Sequence, residues 1–326
     1  MAEAASLTAE FGLGHRPDQG APLASCLVLG NFDGVHLGHQ AILAAARGEA
    51  TRLQVPLVAI TFQPHPRTVL DPELGLGLLT TFELRRRLLA EQGVDQLWVI
   101  PFNAGILQMS PTEFMERVIN RLEIKVMVVG PSFSIGKGAE GKLDFLQSYA
   151  GRAGFGVTVV DAVSWKGADV SSSTIRSQLA AASMAAVSEM LGRPFQVLGE
   201  VIHGHGLGRR LGFPTANVQF SPAQALPPDG VYVIELTLED GITRGAVGSI
   251  GDRPHFGGTE RQLEVHCLED PGEIYGQIAL VAVMERLRPQ EIFSSDQALV
   301  ERMVRDAAAA AAYLAAMPGS VWDPSR

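Results

Sequence analysis

The chain has 326 residues, 46 % hydrophobic and 19 % charged, with 26 basic against 35 acidic side chains and a net charge of −9. That length and apolar content suit about two folded domains and exclude a disordered chain, and the acidic balance argues against nucleic-acid binding, which needs a basic face. No apolar run approaches the ~18 residues of a membrane span, the first residues lack the basic-then-apolar pattern of a secretion signal, and two distant cysteines, Cys26 and Cys267, build no disulfide framework or zinc site, so a cytoplasmic setting is expected.

Residues 1–22 mix Gly, Pro and polar side chains and are expected to form a loose leader. Residues 25–29, 56–62, 96–101, 125–129 and 157–160 are apolar and strand-length. Amphipathic stretches over 40–53, 81–92 and 111–121 lie among them. Continuous apolar strands alternating with helices predict an α/β domain with a doubly wound parallel sheet, its ligand at the carboxyl ends of the strands. A helix over 173–192 follows. The pattern then changes to β-branched runs at 195–203, 230–238, 243–250, 262–268 and 274–286, joined by short Gly, Asp or Pro turns. That pattern predicts an antiparallel sheet or small β-barrel. A helix over 295–316, around six alanines at 307–312, ends the pattern. The expected division is a leader over 1–22, an α/β domain over 23–192 and a barrel domain over 193–326.

The densest cluster is Gly30-Asn31-Phe32-Asp33-Gly34-Val35-His36-Leu37-Gly38-His39, between a strand and a helix. Gly34 and Gly38 permit tight turns and close ligand approach. A helix N-terminus offers unpaired N–H groups and a positive dipole end to phosphate. His36 and His39, three residues apart, fall on one helical face and could donate hydrogen bonds to phosphate oxygens, hold a metal, or simply pack.

Further along, Thr61-Phe62-Gln63-Pro64-His65-Pro66-Arg67 follows the second strand. Ser171-Ser172-Ser173-Thr174-Ile175-Arg176 opens a helix, where an arginine fork matches phosphate geometry. Gly130 to Lys137 resembles a P-loop but lacks its Ser or Thr, since Gly138 stands there. Glu83-Leu84-Arg85-Arg86-Arg87 is a local basic run expected to be a solvated helix face.

In the second half, Gly204-His205-Gly206-Leu207-Gly208-Arg209-Arg210-Leu211-Gly212-Phe213-Pro214-Thr215-Ala216-Asn217 could cradle phosphates on its glycine N–H groups. Thr215 and Asn217 offer neutral oxygens to Mg²⁺. Strand alternation in Leu263-Glu264-Val265-His266 puts Glu264 and His266 on one face, where the carboxylate could accept a hydroxyl proton.

Taken together, these strings resemble the bacterial bifunctional riboflavin kinase/FAD synthetase family. Gly30–His39 resembles the HxGH signature of nucleotidyltransferases, and Gly204–Asn217 resembles the GxGxGRxLGFPTAN motif of riboflavin kinases. The resemblance covers about residues 24–306. It implies that the N-terminal domain adenylylates FMN to FAD and the C-terminal domain phosphorylates riboflavin to FMN, both with ATP and Mg²⁺. On the nucleotide it implies Gly30, Phe32, Asp33, Gly34, Gly38, Ser172, Ser173, Gly204, Gly206, Gly208 and Arg209. On the flavin it implies Phe62, Pro64, His65, Pro66, Ser132, Arg288 and Phe293. Catalytic roles would fall to His36, His39, Arg176 and Glu264, and the metal to Thr215 and Asn217. Two departures stand out: Ser132 where the family carries Asn or Asp, and His255 where it carries Thr. Two alternatives follow, a divergent member with kinase activity only, its adenylyl transfer weakened by Ser132, and a non-catalytic flavin- or nucleotide-binding regulator.

Overall fold

A computed structural model describes residues 8–10, 24–71, 75, 77–203, 212–252 and 261–317. The chain packs as two compact units. One takes in residues up to 76 with 82–172, the other 77–81 with 173–326.

The first unit is built on a parallel sheet. Its strands are β1 (Thr8–Glu10), β2 (Ala24–Leu29), β3 (Leu57–Gln63), β4 (Gln96–Pro101), β5 (Glu123–Val129) and β6 (Gly156–Val159), in spatial order β1-β4-β3-β2-β5-β6. β1 lies within the segment expected as leader and pairs with β4; three residues are too short to carry a periodic signal. The helices are α1 (Leu37–Leu53), α2 (Pro66–Leu70), α3 (Phe82–Glu91), α4 (Ala104–Gln108), α5 (Pro111–Arg117) and α6 (Leu143–Ala153). β7 (Ser164–Trp165) and β8 (Ala168–Asp169) make a hairpin turned by Lys166 and Gly167, both at positive φ.

Both faces of the sheet are covered, as continuous apolar strands require. On one face Leu27, Ile60 and Met127 pack with Phe114 and Met115 of α5 and Leu146 of α6. On the other, the Cys26 thiol donates to the Ala46 carbonyl of α1 at 3.3 Å. Helix α5 starts where Ser-Pro-x-Glu dictates: Ser110 accepts from the Glu113 N–H and the Glu113 carboxylate accepts from the Ser110 N–H. Helix α6 had no clear sequence signal, because only Leu146, Tyr149 and Ala150 of its eleven residues are buried.

In the second unit the helix expected over 173–192 is two: α7 (Ser172–Ala180) and α8 (Met184–Leu191). Ala182 turns to φ 55, and the Ser183 N–H reaches back to Gln178 O while the Ala182 N–H reaches Leu179 O. A helix end of this kind usually signals itself with Gly, which this one lacks.

Strands β9 (Phe195–Ile202), β10 (Ala216–Phe220), β11 (Gly230–Thr237), β12 (Thr243–Asp252), β13 (Arg261–Cys267) and β14 (Ile278–Arg288) close a barrel in the order β10-β13-β12-β11-β14-β9, every pair antiparallel. Closure leaves no sheet edge unpaired. Val197, Val201, Val218, Leu263, Val265 and Val281 are fully buried or nearly so. Helix α9 (Asp296–Ala316) lays Ala310 and Leu314 on Val233 and Met284, on the outside of the barrel wall.

A buried ion pair ties α9 to β14. Arg288 donates to both oxygens of Asp306 at 2.8–3.2 Å, and both side chains are buried. Removing one partner leaves a desolvated charge, typically about 3–5 kcal/mol. Asp306→Ala is therefore expected to destabilise the barrel unit by roughly 3 kcal/mol, the lower end of that range, because Arg288 keeps the Pro289 carbonyl and Glu291 nearby. Urea unfolding followed by far-ultraviolet signals measures this; a loss below about 1 kcal/mol would contradict it.

Candidate functional site

In the parallel sheet the chain proceeds outward from β2 to β3 and β4, then returns to place β5 on the other side of β2. At such a switch point the loops at the carboxyl ends of adjacent strands diverge and leave a crevice. The loop beginning at Gly30 follows β2, and the loop beginning at Gly130 follows β5, its neighbour. The segment Gln63–Pro66 leaves β3, the neighbour on the other side. Three of the strings picked out in the sequence thus share one edge of the sheet.

The β2–α1 loop is strained. Phe32 has φ 50 and Val35 φ 39. For a β-branched residue the second value is a marked departure, of the kind that persists only where surroundings over-determine it. Phe32, Asp33, Val35 and His36 are all buried. Gln40 Nε2 donates to the Val35 carbonyl at 2.8 Å, and Ser172 Oγ donates to the Asp33 carbonyl at 2.9 Å.

His36 caps α1. Its Nδ1 accepts the His39 N–H at 3.4 Å, so the helix starts at Leu37, ahead of the expected start at 40. An imidazole that accepts at Nδ1 carries its proton on Nε2. The His36 and His39 rings stack at 3.7 Å between centroids, and Phe32 meets His39 edge-on at 5.3 Å. Gly38 makes room for this: a Cβ there would lie 3.2 Å from His36 Nδ1 and Cε1.

Burial first, then the neighbouring His36 and Arg85, hold the His39 imidazole well below its ordinary value of 6.5. His39 Nδ1 is buried with no hydrogen-bond partner among the described residues. A histidine depressed on folding binds fewer protons folded than unfolded, so its contribution to stability is lost as pH falls below about 6.5. Thermal melts of the first unit are expected to drop between pH 7 and pH 5, and the drop is expected to flatten in a His39→Asn variant. Equal slopes in the two proteins would contradict this.

The other N-terminal candidates divide. His65 is buried and caps α2, its Nδ1 accepting the Arg67 N–H at 3.2 Å. Phe62 is half-buried against Phe102 and Phe114, while Pro64 is exposed and Pro66 partly so. Ser132 is exposed in the loop after β5. Arg176, on α7, donates from Nε to the Gly77 carbonyl at 2.7 Å, and Ser173 is exposed at the start of that helix.

Arg85 was missed. The basic run expected to be solvated splits: Arg86 and Arg87 pair with Glu83, but Arg85 is only 1 % exposed. Its Nη1 donates to the Asn31 carbonyl at 2.9 Å and its Nη2 to Gln63 Oε1 at 3.2 Å. The signal was helical spacing: residues 85, 88 and 89 lie on one face, with Leu88 and Leu89 buried there.

In the barrel unit, Asn217 lies opposite Glu264, and Glu264 opposite Ser249, in one cross-strand row over β10, β13 and β12. Leu263 and Val265 point into the barrel, so Glu264 and His266 share the outer face, as alternation requires. His266 Nδ1 lies 2.9 Å from the Pro214 carbonyl, and its ring lies 5.1 Å from Phe213, which holds the turn carrying Thr215. Asn217 Oδ1 is buried without a partner among the described residues. Gln290 Nε2, not picked out in the sequence, donates to Ser249 Oγ at 2.9 Å. Arg288 is committed to Asp306, with Phe293 stacked 5.7 Å from its guanidinium. Gly204, Gly206, Gly208, Arg209 and His255 lie outside the described residues.

Family models match both halves of the chain, the one described as FAD synthetase over residues 19–174 and the one described as riboflavin kinase over 191–314. A bifunctional riboflavin kinase/FMN adenylyltransferase of Pseudomonas fluorescens is 38 % identical over 289 residues, 88 % of this chain and 92 % of that protein. The protein of the same name in Escherichia coli K12 is 34 % identical, over 88 % of this chain and 92 % of its own length. A crystal structure named as a macrolide-efflux protein from Streptococcus pneumoniae aligns with TM-score 0.84 and 28 % identity, covering 94 % of this chain and 99 % of that one. Among the described residues no helix is long and apolar enough to cross a membrane.

Proposed function

The chain belongs to the bifunctional riboflavin kinase/FMN adenylyltransferase family, and from that premise we propose that it phosphorylates riboflavin to FMN in the barrel unit and adenylylates FMN to FAD in the α/β unit, consuming ATP in both steps. What supports this most directly is the grouping of the chemistry-bearing residues. The paired imidazoles sit at the sheet's switch point, and Glu264 sits in register with Asn217.

In the kinase step, Glu264 accepts the proton of the riboflavin 5′-hydroxyl as that oxygen attacks the γ-phosphorus of ATP and ADP leaves. No covalent intermediate is needed, because positioning and electrostatics supply most of the acceleration. The unpartnered Asn217 Oδ1, together with the Thr215 hydroxyl, suits a hard cation such as Mg²⁺. Bound there, Mg²⁺ would neutralise charge on the phosphates. His266, braced on Pro214, would keep the Thr215 turn in place.

In the adenylyl step, an FMN phosphate oxygen attacks the α-phosphorus of ATP and pyrophosphate leaves. A phosphate is already anionic near pH 7, so this step needs no base. His36, through the donor at Nε2, and the N-terminus of α1 would stabilise charge on the α-phosphate. His39, kept neutral, would brace the His36 ring from below. The flavin would lie against Phe62, Pro64, Pro66 and Ser132, with His65 holding the turn.

Burial pushes the ionisation of both cysteine thiols, Cys26 and Cys267, up to about 11. Chromatography of a mixture of protein, riboflavin, ATP and Mg²⁺ tests the whole reading. FMN should form first and FAD should follow with pyrophosphate. FMN alone would mean that Ser132 has disabled the second step, and flavin binding without turnover would mean a regulator; either result overturns the proposal.

A further inference from the structure

Arg85, on α3, is almost wholly buried and donates into the β2–α1 loop. Burying a guanidinium is costly unless an opposite charge or a full set of hydrogen bonds offsets the loss of water. Here the offset is incomplete. The acceptors of Arg85 among the described residues are neutral: the Asn31 carbonyl at 2.9 Å, Gln63 Oε1 at 3.2 Å and the Phe62 carbonyl at 3.4 Å. Its Nε is buried with no hydrogen-bond partner among the described residues. Asp33, also buried, is the carboxylate whose charge acts on it. An apolar side chain of similar volume would fill the space at less cost.

The bonds that Arg85 makes fall on both arms of the candidate nucleotide site. Asn31 belongs to the loop that leads to His36, and Phe62 and Gln63 belong to the end of β3. The Asn31 carbonyl also accepts from Thr61 Oγ1 at 3.3 Å. A trans peptide sets its C=O and the following N–H on opposite sides. With the Asn31 carbonyl drawn toward Arg85, the Phe32 N–H is turned away from it. This is the peptide that enters the strained φ of Phe32.

We infer that Arg85 is a positioning residue for adenylyl transfer: it locks the Asn31–Phe32 peptide and keeps a fixed positive charge against the loop that receives the ATP polyphosphate. The inference rests on the adenylyl-transfer reading above. It adds to that reading a cation that does not touch substrate and acts through the loop and through its field. A buried charge acts strongly on an anion across a short, poorly screened path.

Arg85→Gln removes the charge and keeps hydrogen-bonding capacity; Arg85→Lys keeps the charge and loses the fork. FAD formation from FMN and Mg-ATP is expected to fall roughly 10²-fold in the Gln variant, the order seen when a fixed electrostatic stabiliser is lost. The Lys variant should fall about tenfold less than that, and FMN formation should stay at the wild-type rate in both. Histidine NMR supplies a second reading. The His39 titration should move up in the Gln variant and stay put in the Lys variant, which a purely structural role would not produce. Equal losses in the two variants with an unmoved His39, or wild-type FAD formation in both, would overturn the inference. Should the Gln variant not fold, the Lys variant decides alone: a three- to thirtyfold loss supports the role, and an unchanged rate or a complete loss overturns it. A wild-type protein that makes no FAD would instead defeat the adenylyl-transfer reading itself.

Discussion

With His36 replaced by alanine, the protein is expected to stop making FAD and to continue making FMN at the wild-type rate. His36 caps α1 through Nδ1, and the proposed mechanism gives its imidazole a second role in adenylyl transfer. Losing a transition-state donor of this kind costs about 10²–10³ in rate. Losing the cap costs a further 0.5–2 kcal/mol or so of stability. The two losses can be separated with His36→Asn, because Asn is a good helix cap and has no imidazole. That variant should melt near the wild-type temperature and still fail to adenylylate FMN. FAD formation within tenfold of wild type in His36→Asn would remove the imidazole from the mechanism. Loss of FMN formation in either folded variant would show that the two activities do not belong to separate units.

Glu264→Ala is expected to do the reverse. Riboflavin should remain unphosphorylated, with the rate down roughly 10²–10⁴-fold, the range for loss of a positioned base. FAD formation from supplied FMN should be unchanged. The substitution sits on the outer face of β13, between Asn217 and Ser249, and the barrel interior of Leu263 and Val265 is untouched. The fold should therefore survive, and Glu264→Gln, which keeps the shape and loses the base, should be as inactive as the alanine variant. A Gln variant that keeps most of its kinase rate would mean that the carboxylate binds rather than takes a proton. The assay is direct: quantify FMN from riboflavin and FAD from FMN in parallel, with each variant's melting temperature beside them.

How much of this was legible depended on range along the chain. The Gly30–His39 string, the Thr61–Arg67 string and the Glu264 strand each announce themselves within about a dozen residues, because turn chemistry and strand alternation are local. Short elements were not legible: β1 and β10 have three and five residues, and α6 buries only three side chains. The break between α7 and α8 fell at an alanine in a positive-φ conformation, where composition predicts continued helix. At Arg85 charge argues for solvent, but the spacing with Leu88 and Leu89 places the residue on the buried face of α3.

The amino-acid sequence alone determined the order of the two units, the parallel sheet and the barrel, and the strings of residues proposed to handle phosphate. Each of these is written in local periodicity and turn residues. Tertiary structure alone decided which of those residues meet. The crossing of the chain at β2 and β5 brings Gly30 and Gly130 to one edge of the sheet, barrel closure sets Asn217 against Glu264, and the packing of α3 turns Arg85 inward. Pairing register and burial arise from contacts between residues far apart in the chain, and no window of neighbouring residues contains them.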